Sequence, residues 1–125
     1  MAKTIMVVDD SKAVRAVIGA TLKLSGYNTL TAEDGRAALT QLQQKGIGPV
    51  DLVITDVNMP NMDGPTFIRE LKKLPAYAGT PICVLTTESE QGRLEQEMSA
   101  LKRAWITKPV QPAQVLKVVN ELLGG

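Results

Sequence analysis

Three carboxylates in this chain stand where apolar runs end. Asp9 and Asp10 close the run Ile5-Met6-Val7-Val8, and Asp56 follows Leu52-Val53-Ile54-Thr55. Runs of this kind are normally buried, and a carboxylate withdrawn from water without a partner is costly. Clustered anions also repel one another and raise their own proton affinity. A hard divalent cation resolves both problems. Mg2+ takes oxygen ligands and keeps several waters, so two carboxylates and a backbone carbonyl are enough to hold it. A carboxylate beside such a cation can also form an aspartyl phosphate. For one acid the plainer role, a helix cap or a turn, would stand. Three acids at two run ends point to a metal site.

Two other run ends carry complementary groups. Thr86 and Thr87 follow Ile82-Cys83-Val84-Leu85, and Lys108-Pro109 follows Trp105-Ile106-Thr107. Hydroxyl and ammonium donors are what the oxygens of a phosphoryl group require. Singly, each has an ordinary reading as a threonine finishing a strand or a surface lysine. With the acids they outline a phosphate-binding pocket that contains a candidate nucleophile.

Such a pocket needs elements that deliver all of these groups to one place. The apolar runs, with a weaker one at Thr29-Leu30-Thr31, lack polar alternation and suit parallel strands covered on both faces. Between them lie segments of helical period. Ser11 is an N-cap candidate for a helix with Val14, Val17, Ile18, Thr21 and Leu22 along one face, stopped by Ser25-Gly26. Ala38, Leu39 and Leu42 mark a second helix from Gly35 to Gln44. Phe67, Ile68, Leu71 and Leu74 mark a third, from Pro65 to Pro75. Gln91 to Leu101 is a less decisive fourth, and Pro112 opens a fifth that runs to Gly124-Gly125. Five β-α units imply a parallel sheet with helices on both faces. Ligands of such sheets bind beyond the carboxyl ends of the strands, where the acids, threonines and lysine all fall. Asp9, Asp10 and Asp56 converge there if the first and third strands are neighbours, an order that periodicity alone leaves open.

Composition narrows the function. The 125 residues suit one domain with a real core, and 44% hydrophobic with 22% charged residues is ordinary for a soluble protein. A formal charge of +1 argues against nucleic-acid or membrane partners. The single cysteine, Cys83, forms no internal disulfide and reads as a small buried hydrophobe in a reducing, cytoplasmic setting. With no histidine in the chain, His-based triads and histidine metal sites are excluded. The N-terminal stretch MAKTIMVVDD lacks the apolar length of a signal peptide, and no run approaches a membrane span. One compact domain over residues 1–125, without an output domain, is expected.

The blocks MVVDDS, DLVITDVNMPNMDG, VLTTES and WITKP resemble, in order and spacing, the signature blocks of two-component response-regulator receiver domains. The likeness covers essentially the whole chain and is closest to stand-alone chemotaxis regulators of the CheY class. It implies a single flavodoxin-like (βα)5 doubly wound domain whose parallel five-stranded sheet has the order 2-1-3-4-5. It implies that Asp56 is the phospho-acceptor, charged by the phosphohistidine of a sensor histidine kinase in a Mg2+-dependent reaction. Asp10 matches a direct Mg2+ ligand, Asp9 its partner acid acting through water, and Asn58 the position whose backbone carbonyl completes the metal site. Thr86 matches the switch hydroxyl and Lys108 the ammonium group, both engaging phosphoryl oxygens. Trp105 matches the switch aromatic, and Asn58 and Glu88 the positions that tune hydrolysis. The family also has a cis bond at the position of Lys108-Pro109.

The resemblance further implies a monomeric phospho-acceptor signalling protein that catalyses its own phosphorylation and dephosphorylation, and whose signal leaves through protein contacts. The output face would be formed by the fourth helix, fifth strand and fifth helix. It would expose Lys102, Arg103, Trp105, Gln111, Gln114 and Lys117 to a downstream effector, such as a flagellar or chemotaxis component. Two departures touch that face: Leu101-Lys102 stands where the family often has Gly-Ala, and Trp105 replaces a tyrosine or phenylalanine. Two competing readings are a small aspartyl-phosphate phosphatase or phosphotransferase and an interaction module that never binds phosphate. Asn58 counts against the first, because such enzymes carry a second acid there. The intact set Asp9, Asp10, Asp56, Thr86 and Lys108 counts against the second.

Overall fold

The computed structural model describes residues 2–44, 49–87 and 104–124. The expected helix from Gln91 to Leu101, and with it Glu88, Lys102 and Arg103, lies outside the described residues. Five strands, β1 (Thr4–Val8), β2 (Asn28–Ala32), β3 (Leu52–Asp56), β4 (Ile82–Thr86) and β5 (Ala104–Thr107), form one sheet. All pairings are parallel and the order is β2-β1-β3-β4-β5. Four helices are described: α1 (Lys12–Leu24), α2 (Gly35–Leu42), α3 (Gly64–Lys73) and α4 (Pro112–Leu123). A 3-10 turn over Pro75–Tyr77 follows α3.

The unbroken apolar runs are explained by the layers on either side. In β1, β3 and β4 successive side chains point to opposite faces, and both faces are covered. Met6, Val8, Val53, Ile82 and Val84 join Ala38, Leu42, Phe67, Ile68 and Leu71 of α2 and α3. Ile5, Val7, Leu52, Ile54, Cys83 and Leu85 join Ile18, Leu22, Val115 and Val119 of α1 and α4. Each fully buried aliphatic side chain contributes about 1.5–3 kcal/mol, which makes these two layers the main source of stability. Cys83 is part of this packing, and burial pushes its thiol up to about 12, so it is no nucleophile. The weaker run of β2 is at the sheet edge, where Thr29 and Leu30 are only half-buried.

Local chemistry sets the helix starts. Ser11 Oγ accepts from Val14 N at 3.3 Å, Asp34 Oδ1 from Ala37 N at 2.7 Å and Asp63 Oδ1 from Thr66 N at 2.8 Å. Each satisfies a donor that the first turn leaves orphaned. Helix α2 stops at Leu42, two residues short of the span the sequence pattern suggests. At the far end of the chain, α4 closes on Gly124 in the left-handed conformation, φ 78°. No described helix is long and apolar enough to cross a membrane.

Candidate metal and phosphoryl site

Sheet order and register bring the functional residues together. Val8 pairs with Thr55, so Asp9 and Asp56 emerge side by side at the carboxyl edge. Asp56 is level with Leu85, which puts Thr86 one step beyond it; Thr86 in turn pairs with Thr107, and Lys108 comes next. Carboxylate oxygens of Asp9, Asp10 and Asp56 all lie within 4.8 Å of one another. Asp9 and Asp56 are buried, at 0% and 4% exposure, while Asp10 faces solvent.

Lys108 reaches across from β5 and is the cation of the cluster. Its Nζ lies 3.2 Å from Asp56 Oδ1 and 3.5 Å from Asp9 Oδ2. Its backbone N–H donates to the Thr86 carbonyl at 2.8 Å, which anchors the turn from which the side chain springs. The Lys108-Pro109 bond is cis, as the resemblance implies. Burial by itself would lower the lysine's pKa, but the carboxylates of Asp56 and Asp9 outweigh that and hold it above the ordinary value.

One lysine does not balance the acids. Burial pushes the Asp9 carboxyl above its ordinary range, despite the bond from Ser11 N at 2.8 Å and the nearby Lys108. Burial raises Asp56 too, and the charge of Asp9 adds to it; Lys108 and the Val57 N–H, 2.7 Å from Oδ1, pull the other way without prevailing. Buried Asp9 Oδ2 has no hydrogen bond, and Lys108 at 3.5 Å is too distant to serve as one. A carboxylate oxygen left in this state, in a cluster with two more acids, is what a hard cation, or a water that it keeps in its shell, would satisfy. The donor set therefore fits Mg2+.

The other sequence-derived positions fall as follows. Thr86 is fully buried, and its hydroxyl donates to the Thr87 carbonyl at 3.2 Å. Asn58 is exposed on the loop after β3. Trp105, expected to be exposed, is half-buried instead. Its register opposite Val84 turns the ring onto the α2–α3 side of the sheet, where it packs against that core. Gln114 is likewise half-buried, whereas Gln111 and Lys117 are exposed.

Two residues around the site, and the tight contact of a third, are not legible in the sequence. Arg15 Nη1 donates to the Asp9 carbonyl at 2.6 Å and so fixes the peptide that carries the acid pair. On an amphipathic helix an arginine reads as merely solvated, so nothing local marks it. Asn61 adopts φ 68° and donates from Nδ2 to Asp34 Oδ2 at 2.8 Å, tying the β3–α3 loop to the start of α2. The Met-Pro-Asn segment signals a turn but not its tether. Gly64, legible as a turn residue, is needed for close approach: a Cβ there would lie 2.6 Å from the Asp56 carbonyl oxygen and 2.9 Å from Val57 Cα. The start of α3 thus presses directly on the backbone that holds Asp56.

Comparison with known proteins gives consistent matches. The model of the response regulator receiver domain family matches residues 5–120. The structure of the chemotaxis response regulator CheY4 of Vibrio cholerae is 36% identical, with a TM-score of 0.88, covering 98% of this chain and 99% of that one. The receiver domain of a Pseudomonas aeruginosa sensor histidine kinase, with a magnesium ion coordinated in its active-site cleft, is 25% identical at a TM-score of 0.83, each chain being covered completely at 100%. A gliding motility regulatory protein of Myxococcus xanthus is 33% identical over 112 residues, 90% of this chain and 14% of that protein. A two-component response regulator of Oryza sativa subsp. japonica is 31% identical over 120 residues, 95% of this chain and 56% of its own length. The chain thus spans well under two thirds of both relatives.

Proposed function

This chain belongs to the response regulator receiver domain family, and on that premise we propose that it is a phosphorylation-dependent switch whose acceptor is Asp56. The observation that carries the reading is the Lys108 ammonium group set between the buried carboxylates of Asp56 and Asp9. Asp56 Oδ1 is engaged by Val57 N and Lys108, which leaves Oδ2 to attack phosphorus. The Oδ2–P bond forms as the P–N bond of a kinase phosphohistidine breaks, and the electron pair departs with the imidazole. Lys108 then trades a carboxylate oxygen for a phosphoryl oxygen, as a charge-assisted donor. Asp10, Asp56 and the Asn58 carbonyl would hold Mg2+, with Asp9 acting through water. Bound there, the ion neutralises charge on the transferring group.

The acyl phosphate adds charge and acceptor oxygens at the sheet edge. Thr86 answers by turning its hydroxyl from the Thr87 carbonyl towards them, and the half-buried Trp105 ring moves into the vacated space. Such a local change biases a face that includes β5 and α4, with Trp105, Gln114 and Lys117, towards or away from a protein partner. The likeness to a chemotaxis regulator and to part of a gliding motility protein supports a motility-related effector. Incubation with Mg2+ and a small acyl phosphate labels the wild type and leaves Asp56→Asn unlabelled; label retained in the variant would remove Asp56 as acceptor. Beryllofluoride with Mg2+ changes the emission of Trp105, the only tryptophan. An unchanged spectrum would favour a constitutive interaction module. Pull-downs with the free and beryllofluoride-bound forms then test the effector.

A further inference from the structure

Away from the acid pocket, a groove of about 450 Å3 runs between α1 and the edge strand β2. Lys12, Arg15 and Lys23 line it from the helix, Thr29 and Thr31 from the strand, and Gly19 lies between the two lysines on the helix side. Among the described residues its lining contains no acidic residue and no aromatic ring. Arg15 is engaged with the Asp9 carbonyl, so the outlying charges belong to Lys12 and Lys23. Eleven residues of helix separate them, about 16 Å at 1.5 Å per residue.

Two features of α1 run against local preference. Lys12 occupies the first helical position, where the helix dipole disfavours a cation, and the first turn has no acidic residue. Lys23 in the last turn is explained by the dipole; Lys12 is not. Gly19 stands mid-helix, where glycine is unfavourable relative to alanine. Packing does not demand it, because a Cβ at Gly19 would meet nothing within 4 Å. The absent side chain keeps the groove open. Departures from local rules without a packing reason mark functional positions.

The strand adds direction. Asn28 N bonds Lys3 O and Asp9 N bonds Ala32 O, so the even-numbered residues of β2 pair with β1. Thr29 and Thr31 therefore turn their backbone groups to the open edge, where Gln41 Nε2 takes the Thr31 carbonyl at 2.8 Å. An exposed edge of this kind accepts a further strand. The cations are too widely spaced to converge on one compact anion, and no ring offers a platform for a nucleoside base. We infer that the α1–β2 groove docks an extended, acidic segment of a partner protein, pairing at Thr29 and directing alternate carboxylates towards Lys12 and Lys23.

An NMR titration tests this with an alternating glutamate–alanine peptide, roughly six residues long so that it spans the lysines when extended. Amide shifts are expected at Gly19, Ala20, Thr29 and Thr31. Gly19→Leu, which fills the groove without removing charge, and Lys23→Glu should each weaken binding about tenfold. Gly19→Leu should melt no lower than wild type. If it folds poorly, Gly19→Ala provides the same separation of binding from stability. Shifts scattered over all surface lysines, or wild-type affinity in the glycine variant, would overturn the inference. So would tripolyphosphate shifting the same amides while the peptide does not, since that would assign a compact-anion site.

Discussion

Asp34 and the pair Asp9–Asp56 are equally hidden from solvent, at 5%, 0% and 4% exposure, yet the protein shifts their carboxyls in opposite directions. Asp34 lies below its ordinary range because the Ala37 N–H and the Asn61 amide occupy its two oxygens. Asp9 and Asp56 lie above theirs, because burial is only partly answered by backbone N–H groups and one shared lysine. Low surface exposure alone therefore does not decide what an aspartate is for: desolvation dominates at Asp9 and Asp56 but ranks behind the hydrogen bonds at Asp34, which lies nearer the surface. Asp34 is satisfied by the chain itself and braces the fold. Asp9 and Asp56 are left under-satisfied, which costs stability and creates demand for a cation and a phosphoryl group.

Substitutions can break this contrast. The largest expected effect is on phosphorylation: Asp56→Asn should lower acyl-phosphate labelling by more than about 100-fold, a loss expected when a nucleophile is removed. Asp34→Asn should remain labelled, measured by mass spectrometry on both variants. Mg2+ comes next. Saturating Mg2+ should stabilise the wild type by roughly 2.7 kcal/mol at a hundred times its dissociation constant. Asp10→Asn should lose most of the accompanying rise in melting temperature, and Asp34→Ala should keep it.

Smaller, and opposite in sign, are the metal-free stabilities. Asp34→Ala should lose about 1–2 kcal/mol with its cap in denaturant melts. Asp9→Asn, relieved of a buried charge, should be no less stable than wild type in a chelating buffer. A marked loss there would mean that Asp9 is a structural acid like Asp34. The pH dependence is the finest test. Asp34 contributes stability above the ordinary carboxylate value of 3.8, and this is lost as pH falls through its lower folded value. For Asp9 the sign reverses: its cost is absent below 3.8, grows as pH rises above that value and is fully developed once pH passes its higher folded value. The advantage of Asp9→Asn over wild type should therefore grow from acid to neutral pH without metal.

The same two acids show how far the sequence could be read. Asp9 and Asp56 were legible because apolar runs end at them, and a run ending in a carboxylate is unusual within any short window. Asp34 is not marked in the sequence, because its Asx-type cap looks like any other acid before a helix, while Asn61, which completes it, comes from a different loop. The family resemblance places Trp105 among the exposed residues of the output face. Pairing opposite Val84 half-buried it instead.

Among the described residues, the sequence by itself determined which segments are strands or helices, where the helices start, and that acids, threonines and a lysine terminate strands. Those properties depend on periodicity and on contacts a few residues apart, which any window of the chain contains. The tertiary structure decided which strand ends meet. The order β2-β1-β3-β4-β5 makes β1 and β3 neighbours, which sets Asp9 against Asp56 and brings Lys108 over both. It also placed Arg15 on the Asp9 carbonyl and Gly64 against the Asp56 backbone. Pairing order and close approach arise from packing between segments far apart in the chain, and local pattern carries no record of them.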